Sequence, residues 1–320
     1  MTLEKIKIRE FNQNDFAGLV QLNNVIMPEL PTTEKEFRHW DETRDAKYYL
    51  YRVVAEIDNE IVAMAEFGHF FNMFHPDKYF GTVQVLPQYR RMGLGSKLYS
   101  MIIKKSNRRN AVAIRTEVKE DQVDGLRFAK KNGFVAEIEE WEARADPREF
   151  DFKKYDGLFD KLQVKGIEIV NLEDMLEHDQ DAKQELYKLA QILAKDVPQP
   201  EAYTPTDFEL WEKKIFRAPN LLAKAFLVAK KDGDYIALHS LWGSEADPKT
   251  LIIGMTGVKR KWRNQGIAKA LKVANTKWAF EHGYEQIITW NNSENVEILK
   301  INNEFGFVRQ PAWIGFKKEL

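Results

Sequence analysis

The sequence predicts a chain of two similar α/β domains in tandem. Three observations support this prediction: the length of 320 residues suits two domains of ordinary size, a set of landmarks recurs at one spacing, and both halves show the same order of strand and helix patterns. We place the first domain at residues 1–147, a connector at residues 148–165 and the second domain at residues 166–320.

The repeat centres on a turn that carries arginine and glycine. In the first half it contains Arg90 and Gly93, and both recur 173 residues later as Arg263 and Gly266. The same spacing joins further pairs, which are Val85 with Val258, Gly95 with Ala268, Thr116 with Thr289, and Gly133-Phe134 with Gly306-Phe307. Separate landmarks that keep one spacing indicate a duplicated domain.

Hydrophobic periodicity predicts the elements of the first half. Asn14 or Asp15 can cap the first helix, and Asp58-Asn59 suits the tight turn of a hairpin. In chain order the prediction is a strand at 5–10, a helix ending near 27, a helix beginning at 33, a hairpin of 48–57 with 60–70, a strand at 79–86, a helix at 93–105, a strand at 111–116, a helix at 121–132 and a strand at 134–141.

The second half repeats this order, with a hairpin turning at Asp232-Gly233. Its elements are a strand at 166–171, helices near 182–194 and from 206, a strand at 250–258, a helix at 266–282, a strand at 286–290, a helix at 294–305 and a strand at 307–317. Extra residues precede its glycine turn, and we expect the proline-rich stretch 197–205 to hold them. The aromatic residues of the connector predict that it is ordered and packs.

Composition excludes several classes of function. The net charge is −1, so no overall field favours nucleic acid or an anionic membrane. The absence of cysteine excludes disulfides, cysteine-ligated metals and an enzyme thioester, and the 6 histidines show no metal-binding spacing. The charged start does not fit a signal peptide, and the apolar stretches are too short to span a bilayer, so we expect a cytoplasmic protein.

The glycine turn predicts an anion site. A strand that leads through glycine into a helix leaves backbone N–H groups free at the helix start, where the helix dipole adds positive charge. Glycine allows a ligand to approach the backbone, which suits a pyrophosphate. The alternative is a plain strand–helix turn, but its recurrence in the same frame favours the ligand site. The spacing does not fit the Gly-x-Gly-x-x-Gly pattern of a dinucleotide site.

The stretches VQVLPQYRRMGLGSKL and TGVKRKWRNQGIAKALK resemble the acetyl-coenzyme A (CoA) motif of the GNAT N-acetyltransferase superfamily. The stretches DGLRFAKKNGF and NNSENVEILKINNEFGF are similar to the helix and strand that follow it. The likeness covers nearly all of both halves, and the arrangement resembles tandem members of the mycothiol synthase type. It implies an α/β (α+β) fold of two domains, each a mixed, mostly antiparallel sheet flanked by helices.

The resemblance also implies that acetyl-CoA binds as the acyl-donor substrate. Backbone amides after the strand would hold its pantetheine arm, and the turn would hold its pyrophosphate. In the second half, the residues expected at the cofactor are Val258, Lys259, Arg260, Arg263, Asn264, Gln265, Gly266, Ile267, Ala268, Asn295 and Asn302. In the first half they are Val85, Arg90, Arg91, Met92, Gly93, Leu94 and Gly95.

Acetyl transfer needs a deprotonated amine, donors for the thioester oxygen and often an acid for the CoA thiolate. Without cysteine, direct attack in a ternary complex is the simplest route. Many relatives use a tyrosine four residues before the glycine of Gly-Phe as the acid, but here those positions are Ala129 and Asn302. Neither half carries a carboxylate on the strand before the turn, so acid and base must come from elsewhere, act through water, or be dispensable.

One candidate base comes from the repeat. The spacing of 173 residues matches Glu66 with His239, both on the second hairpin strand, which in this family borders the acceptor site. Histidine has a suitable pKa for a base. The alternatives are that His239 is a core or rim histidine and that Glu66 is solvated. Weaker candidates are Glu245, Tyr203 and Tyr284.

Three functions remain open. The first is an acetyl-CoA-dependent N-acetyltransferase for a small-molecule amine, with the second half active because its motif matches the family more closely. The second is a CoA-binding regulatory protein without turnover, and the third is a protein N-acetyltransferase. Residues 198–205 could cover the second site, which would favour a small acceptor. We expect a monomer or homodimer with no nucleic acid or membrane partner.

Overall fold

The computed structural model describes residues 5–320, which fold as two units. The first unit contains the chain up to Glu139, residues 200–204 and Trp313–Leu320. The second unit contains Glu140–Gln199 and Pro205–Ala312. The predicted division at residues 147 and 165 follows the repeat in the sequence, whereas each unit also includes a piece of the other half.

The first half of the chain forms the predicted succession of elements. The hairpin turns at Asp58 and Asn59, whose φ angles of 49° and 66° are left-handed, as a tight turn of this type requires. The elements are β1 (Lys7–Glu10), α1 (Phe16–Ile26), α2 (Glu34–Glu42), β2 (Leu50–Ile57), β3 (Glu60–Gly68), β4 (Lys78–Val85), α3 (Leu94–Arg108), β5 (Ala113–Lys119), α4 (Val123–Lys131) and β6 (Val135–Ala145).

The second half follows the same plan with two departures from prediction. Asn171 caps an additional short helix through a hydrogen bond from the backbone N–H of Asp174. The predicted last strand is divided in two around Pro311, which has no N–H to donate to a ladder. The elements are α5 (Leu158–Val164), β7 (Ile167–Asn171), α6 (Leu172–His178), α7 (Ala182–Ala194), α8 (Phe208–Phe216), β8 (Leu221–Lys231), β9 (Asp234–Trp242), β10 (Thr250–Val258), α9 (Ile267–Glu281), β11 (Gln286–Asn292), α10 (Val296–Glu304), β12 (Val308–Arg309) and β13 (Trp313–Glu319).

Each unit has a mixed, mostly antiparallel sheet, which confirms the predicted fold class. The strand order is β1-β2-β3-β4-β5-β13 in the first unit and β7-β8-β9-β10-β11-β6 in the second. Within each order, the parallel pair is β4 with β5 and β10 with β11. One helix packs on each sheet as the centre of the core: α3 buries Leu94, Leu98 and Ile102, and α9 buries its own apolar face.

The last strand of each half belongs to the unit built by the other half. β13 pairs with β5 in the first unit, in register from Trp313 opposite Lys119 to Glu319 opposite Ala113. The end of β6 pairs with β11 in the second unit, from Glu140 opposite Asn292 to Ala145 opposite Ile287. Neither half of the chain therefore contains all the strands of one sheet.

The proline-rich insertion also departs from expectation. Residues 200–204 belong to the first unit, where the Glu201 carboxylate binds Lys78 and Arg115 at 2.7 and 2.9 Å. The backbone N–H of Thr204 donates to the carbonyl of Asn72 at 2.7 Å. These contacts occupy the part of the insertion that we expected to cover the second site, so they give no support to that role.

The connector is ordered, as predicted. Tyr155 and Phe150 stack on one another and both contact Phe305, with ring centres 5.3 and 4.9 Å from that of Phe305. Leu158 and Leu162 of α5 join the core that includes α9. The connector is therefore part of the second unit.

Candidate functional site

A gap opens between the two parallel strands of each sheet. β10 and β11 pair only from Thr250 opposite Gln286 to Ile252 opposite Ile288, although both strands continue. In the first unit the pairing of β4 with β5 likewise ends at Phe80 and Arg115. Ligands of open α/β sheets bind beyond the carboxyl ends of parallel strands, so both gaps are candidate ligand sites.

A bulge accompanies the gap in the second unit. The pairing of β10 with β9 shifts between Ile253 and Met255, and a bulge of this kind bends a strand away from its neighbour. Gly254 lies at the shift, and a Cβ there would lie 2.1 Å from Nε1 of Trp242. The indole therefore requires glycine at this position. In the first unit, β3 and β4 pair without a shift.

The glycine turn joins each gap to a helix. Gly266 has a φ of 84° and precedes the first residue of α9, and Gly93, with a φ of 87°, precedes α3 in the same way. Such a start leaves the first N–H groups of each helix without a carbonyl of the helix itself, which suits an anion. A Cβ on Gly266 would also lie 3.1 Å from Leu158.

The first arginine of each turn has a structural role that the sequence did not indicate. Nε of Arg263 donates to the carbonyl of Val258 at 3.0 Å, and Arg90 does the same to Val85. In the second unit, Asp196 accepts hydrogen bonds from Arg263 and from Arg260. These arginines lower the pKa of the Asp196 carboxyl. Part of the positive charge expected at the second turn is therefore already neutralised.

A buried chain of amides lies beside the second gap. Nδ2 of Asn302 on α10 donates to Oδ1 of Asn291 on β11 at 2.6 Å, and Nζ of Lys272 on α9 donates to Oδ1 of Asn302 at 2.6 Å. Asn302 is 3% exposed and Lys272 is 2% exposed. Asn295, which we also expected at the cofactor, is the residue before α10, and its backbone N–H donates to Asn292. Sequence reasoning identified Asn302 but missed Lys272.

The first unit has different residues at the matched positions. Tyr99 stands where the second unit has Lys272, Ala129 stands for Asn302, and Val118 stands for Asn291. The Tyr99 ring packs on Phe128, and its hydroxyl accepts a hydrogen bond from Lys318 at 2.9 Å. The comparison of the copies at position 272 was the sequence signal that could have revealed the lysine.

The match of Glu66 with His239 is wrong by one residue. The two hairpin turns, at Asp58 and Asp232, are 174 residues apart rather than 173. Glu66 pairs with Thr82, and the residue paired with the equivalent Met255 is Ser240. A shift of one residue moves a strand side chain to the opposite face of its sheet. His239 and Glu66 therefore face opposite sides of their sheets.

Neither candidate base is in a position that favours proton abstraction from an acceptor. His239 is 2% exposed, and its burial, with a smaller effect of Lys272, lowers its pKa to about 3. Glu66 accepts two hydrogen bonds from Arg52, at 3.0 and 2.7 Å. The burial favours the alternative in which His239 is a core histidine. Of the weaker candidates, Tyr203 lies in the insertion of the first unit, and Tyr284 packs on Trp278.

Parted parallel strands above a glycine-capped helix define a protein that binds a ligand carrying a pyrophosphate. The sequence model of the acetyltransferase (GNAT) family matches the chain twice, at residues 16–134 and 184–306. These matches span well over half of the sequence, and the chain belongs to the GNAT acetyltransferase family. The family predicted from the sequence is confirmed. Among curated proteins, none matches this chain.

Solved structures share the tandem fold. A GCN5-related N-acetyltransferase from Sphaerobacter thermophilus is 16% identical, with a TM-score of 0.69 over 100% of this chain and 97% of its own. A tandem GNAT protein from the clavulanic acid biosynthesis pathway is 15% identical, with a TM-score of 0.73 over 98% of each chain. These likenesses concern the fold alone. No helix within residues 5–320 is long and apolar enough to cross a membrane.

Proposed function

We propose that the chain is an acetyl-CoA-dependent N-acetyltransferase that acts on the amine of a small molecule, with its active site in the second unit. One observation carries the assignment of the unit: the gap between β10 and β11 adjoins the polar chain of Lys272, Asn302 and Asn291, whereas the first unit has Tyr99, Ala129 and Val118 there. A buried polar group is costly to keep, so its presence in one copy favours function in that copy.

The residues of the second unit fit acetyl-CoA. The N–H groups at the start of α9 would bind its pyrophosphate, because glycine at 266 keeps that helix start open. β10 continues past Ile252 without β11 at its side, which leaves room for the pantetheine arm along the strand edge. The residues expected from Val258 to Ala268 line this path and remain proposed contacts.

The proposed chemistry is direct attack by the neutral acceptor amine on the thioester carbonyl. The C–N bond forms, the C–S bond breaks, and the electron pair of that bond moves to sulfur. Backbone N–H groups in the gap would stabilise the charge on the carbonyl oxygen. Since His239 is buried and Glu66 is ion-paired, the amine would lose its proton to water.

The test is thiol release from acetyl-CoA over a panel of small amines and N-terminal peptides, with calorimetry of CoA binding to the full chain. We expect at least one small amine to release thiol above background and peptides to release none. The full chain is needed, because the exchanged strands leave each half without one strand of its sheet.

A CoA-binding protein without turnover is the second candidate. The observation that favours it is that neither candidate base is free, since His239 is buried and Glu66 is held by Arg52. CoA binding without thiol release across the whole panel would support this function and contradict the enzyme.

A further inference from the structure

The buried amine of Lys272 has no counter-ion. Its Nζ donates to the amide oxygen of Asn302 at 2.6 Å and lies 4.6 Å from the centre of the Phe307 ring and 5.5 Å from that of Phe305. No carboxylate in the described part of the chain forms an ion pair with it. Lysine is almost never fully buried unless it is paired, because an isolated buried charge is expensive. An unpaired one beside a ligand site is a candidate for function.

The hydrogen bonds of Lys272 lead to the gap. Asn302 uses both ends of its amide: the oxygen accepts from Lys272, and the nitrogen donates to Asn291. Asn291 lies three residues beyond Ile288, the last residue of β11 that pairs with β10. The two bonds fix the orientation of the Asn302 amide, so its oxygen holds the ammonium at the side of the gap.

The other charged groups on the elements around Lys272 are already accounted for. His239 of β9 stays neutral because burial lowers its pKa to about 3. Glu142 of β6 binds Arg144 at 2.6 Å, and Glu304 of α10 binds Lys269. Lys272 is therefore the group in this surround whose proton is available near neutral pH.

We propose that the ammonium of Lys272 donates a proton to the sulfur of the departing CoA thiolate. This inference rests on the proposed acetyltransferase function and supplies the acid that Asn302 cannot. As the C–S bond breaks, its electron pair stays on sulfur and takes the proton from Nζ, which gives the free thiol and a neutral amine. Lys272 then regains a proton from water, and Asn302 and Asn291 act as positioning residues.

The acidity of Lys272 suits this role. Burial lowers its pKa to about 7, so the group exchanges its proton near neutral pH, which is the condition for an efficient acid catalyst. Loss of the proton as the pH rises through this value should reduce turnover, while deprotonation of the acceptor amine should increase it. We expect a bell-shaped profile whose descending limb belongs to Lys272.

The test compares Lys272→Met, Lys272→Arg and the matched first-unit variant Tyr99→Phe with the wild type in the full chain. Loss of a general acid typically costs 10²–10⁴-fold, so we expect Lys272→Met to lower kcat by about 100-fold or more. CoA affinity by calorimetry should change by less than about threefold. Lys272→Arg keeps the charge but is a poor acid, so it should also be slow and lose the descending limb. Tyr99→Phe should retain wild-type kcat.

Several outcomes would overturn the proposal. Wild-type kcat in Lys272→Met would do so, as would a descending limb that persists in both Lys272 variants. An acetyl group on Lys272, detected by mass spectrometry after incubation with acetyl-CoA, would show a nucleophile instead of an acid. If the wild type releases no thiol with any amine, the proposed function fails. A failure confined to Lys272 leaves that function standing.

Discussion

The two units share a backbone frame but differ in what fills it. Both have parted parallel strands, a left-handed glycine before the long helix and an arginine that binds the strand end. The second unit replaces an apolar patch and a tyrosine with the chain of Lys272, Asn302 and Asn291. The frame therefore indicates a ligand class in both units, while the buried polar residues indicate where chemistry is carried out.

The difference also has a cost in stability. Tyr99 in the first unit buries an aromatic ring among others, which stabilises the fold. Lys272 at the matched position places an unpaired amine in the core, which destabilises the fold whenever the amine is charged. Natural proteins retain destabilising residues of this kind where function requires them. The comparison can be tested at four points.

The largest effect should come from removing β13. Deletion of residues 313–320 takes away the strand beside β5 and the buried side chain of Phe316. We expect the amide protons of β5 to lose their protection in hydrogen-exchange mass spectrometry, while those of β10 and β9 keep theirs. Deletion of Leu320 alone is the control, since it leaves β13 whole. Loss of protection in β10 before β5 would contradict the assignment of β13 to the first unit.

The next effect concerns the glycine turns. Gly266→Glu should abolish turnover and weaken CoA binding at that site by at least about 100-fold, because a carboxylate would stand where the pyrophosphate binds. Gly266→Asn is the control for backbone strain, since asparagine tolerates the left-handed conformation. Gly93→Glu should leave turnover intact while weakening any binding at the first site. Equal loss of turnover in both glutamate variants would refute the assignment of chemistry to the second unit.

A third effect concerns stability at the position that distinguishes the units. The pKa of Lys272 is about 7 in the fold and about 10.5 in the unfolded chain, so the unfolded state binds more protons between these values. Wild-type stability should therefore rise with pH over this window, by at most about 1.4 kcal/mol per pH unit. Lys272→Met should lack that slope and be more stable than the wild type below pH 7. Urea unfolding at several pH values measures both.

Tyr99→Met provides the comparison for that experiment. Its hydroxyl is lost and its ring is replaced, so we expect a small loss of stability that is the same at every pH. A pH slope that survives in Lys272→Met would show that Lys272 is not the group whose pKa is lowered.

Local rules made the frame predictable from the sequence. The hairpin turns at Asp58-Asn59 and Asp232-Gly233 and the glycines at 93 and 266 all adopt the left-handed conformation that these residue types favour. The repeat then assigned the same meaning to both copies. Helix α7 was predicted at residues 182–194 and found there, because a buried stripe of leucines sets its period.

Long-range pairing was not predictable. The strand pattern of residues 313–319 is the same whichever sheet receives it, so only the fold shows that β13 joins β5. The comparison of Glu66 with His239 failed because one additional residue between the matched landmarks moved the partner to the other face. Lys272 escaped notice because a lysine in a helix is usually solvated, and only tertiary packing reveals its burial.

The smallest effect is expected at His239. Its folded pKa of about 3 lies below its unfolded value of 6.5, so the unfolded state binds more protons between pH 3 and pH 6.5. Stability contributed by the neutral ring is present above pH 6.5 and is lost as the pH falls through this window. His239→Gln removes the titration, so its stability should depend less on pH there, while its pH–rate profile between pH 7 and pH 9 should match the wild type. Steady-state rates and urea midpoints test the two halves of this prediction, with Glu66→Gln as the variant at the former partner position. An ascending limb displaced in His239→Gln alone would restore His239 as the base, and the contrast between a catalytic second unit and a silent core histidine would then have to be abandoned.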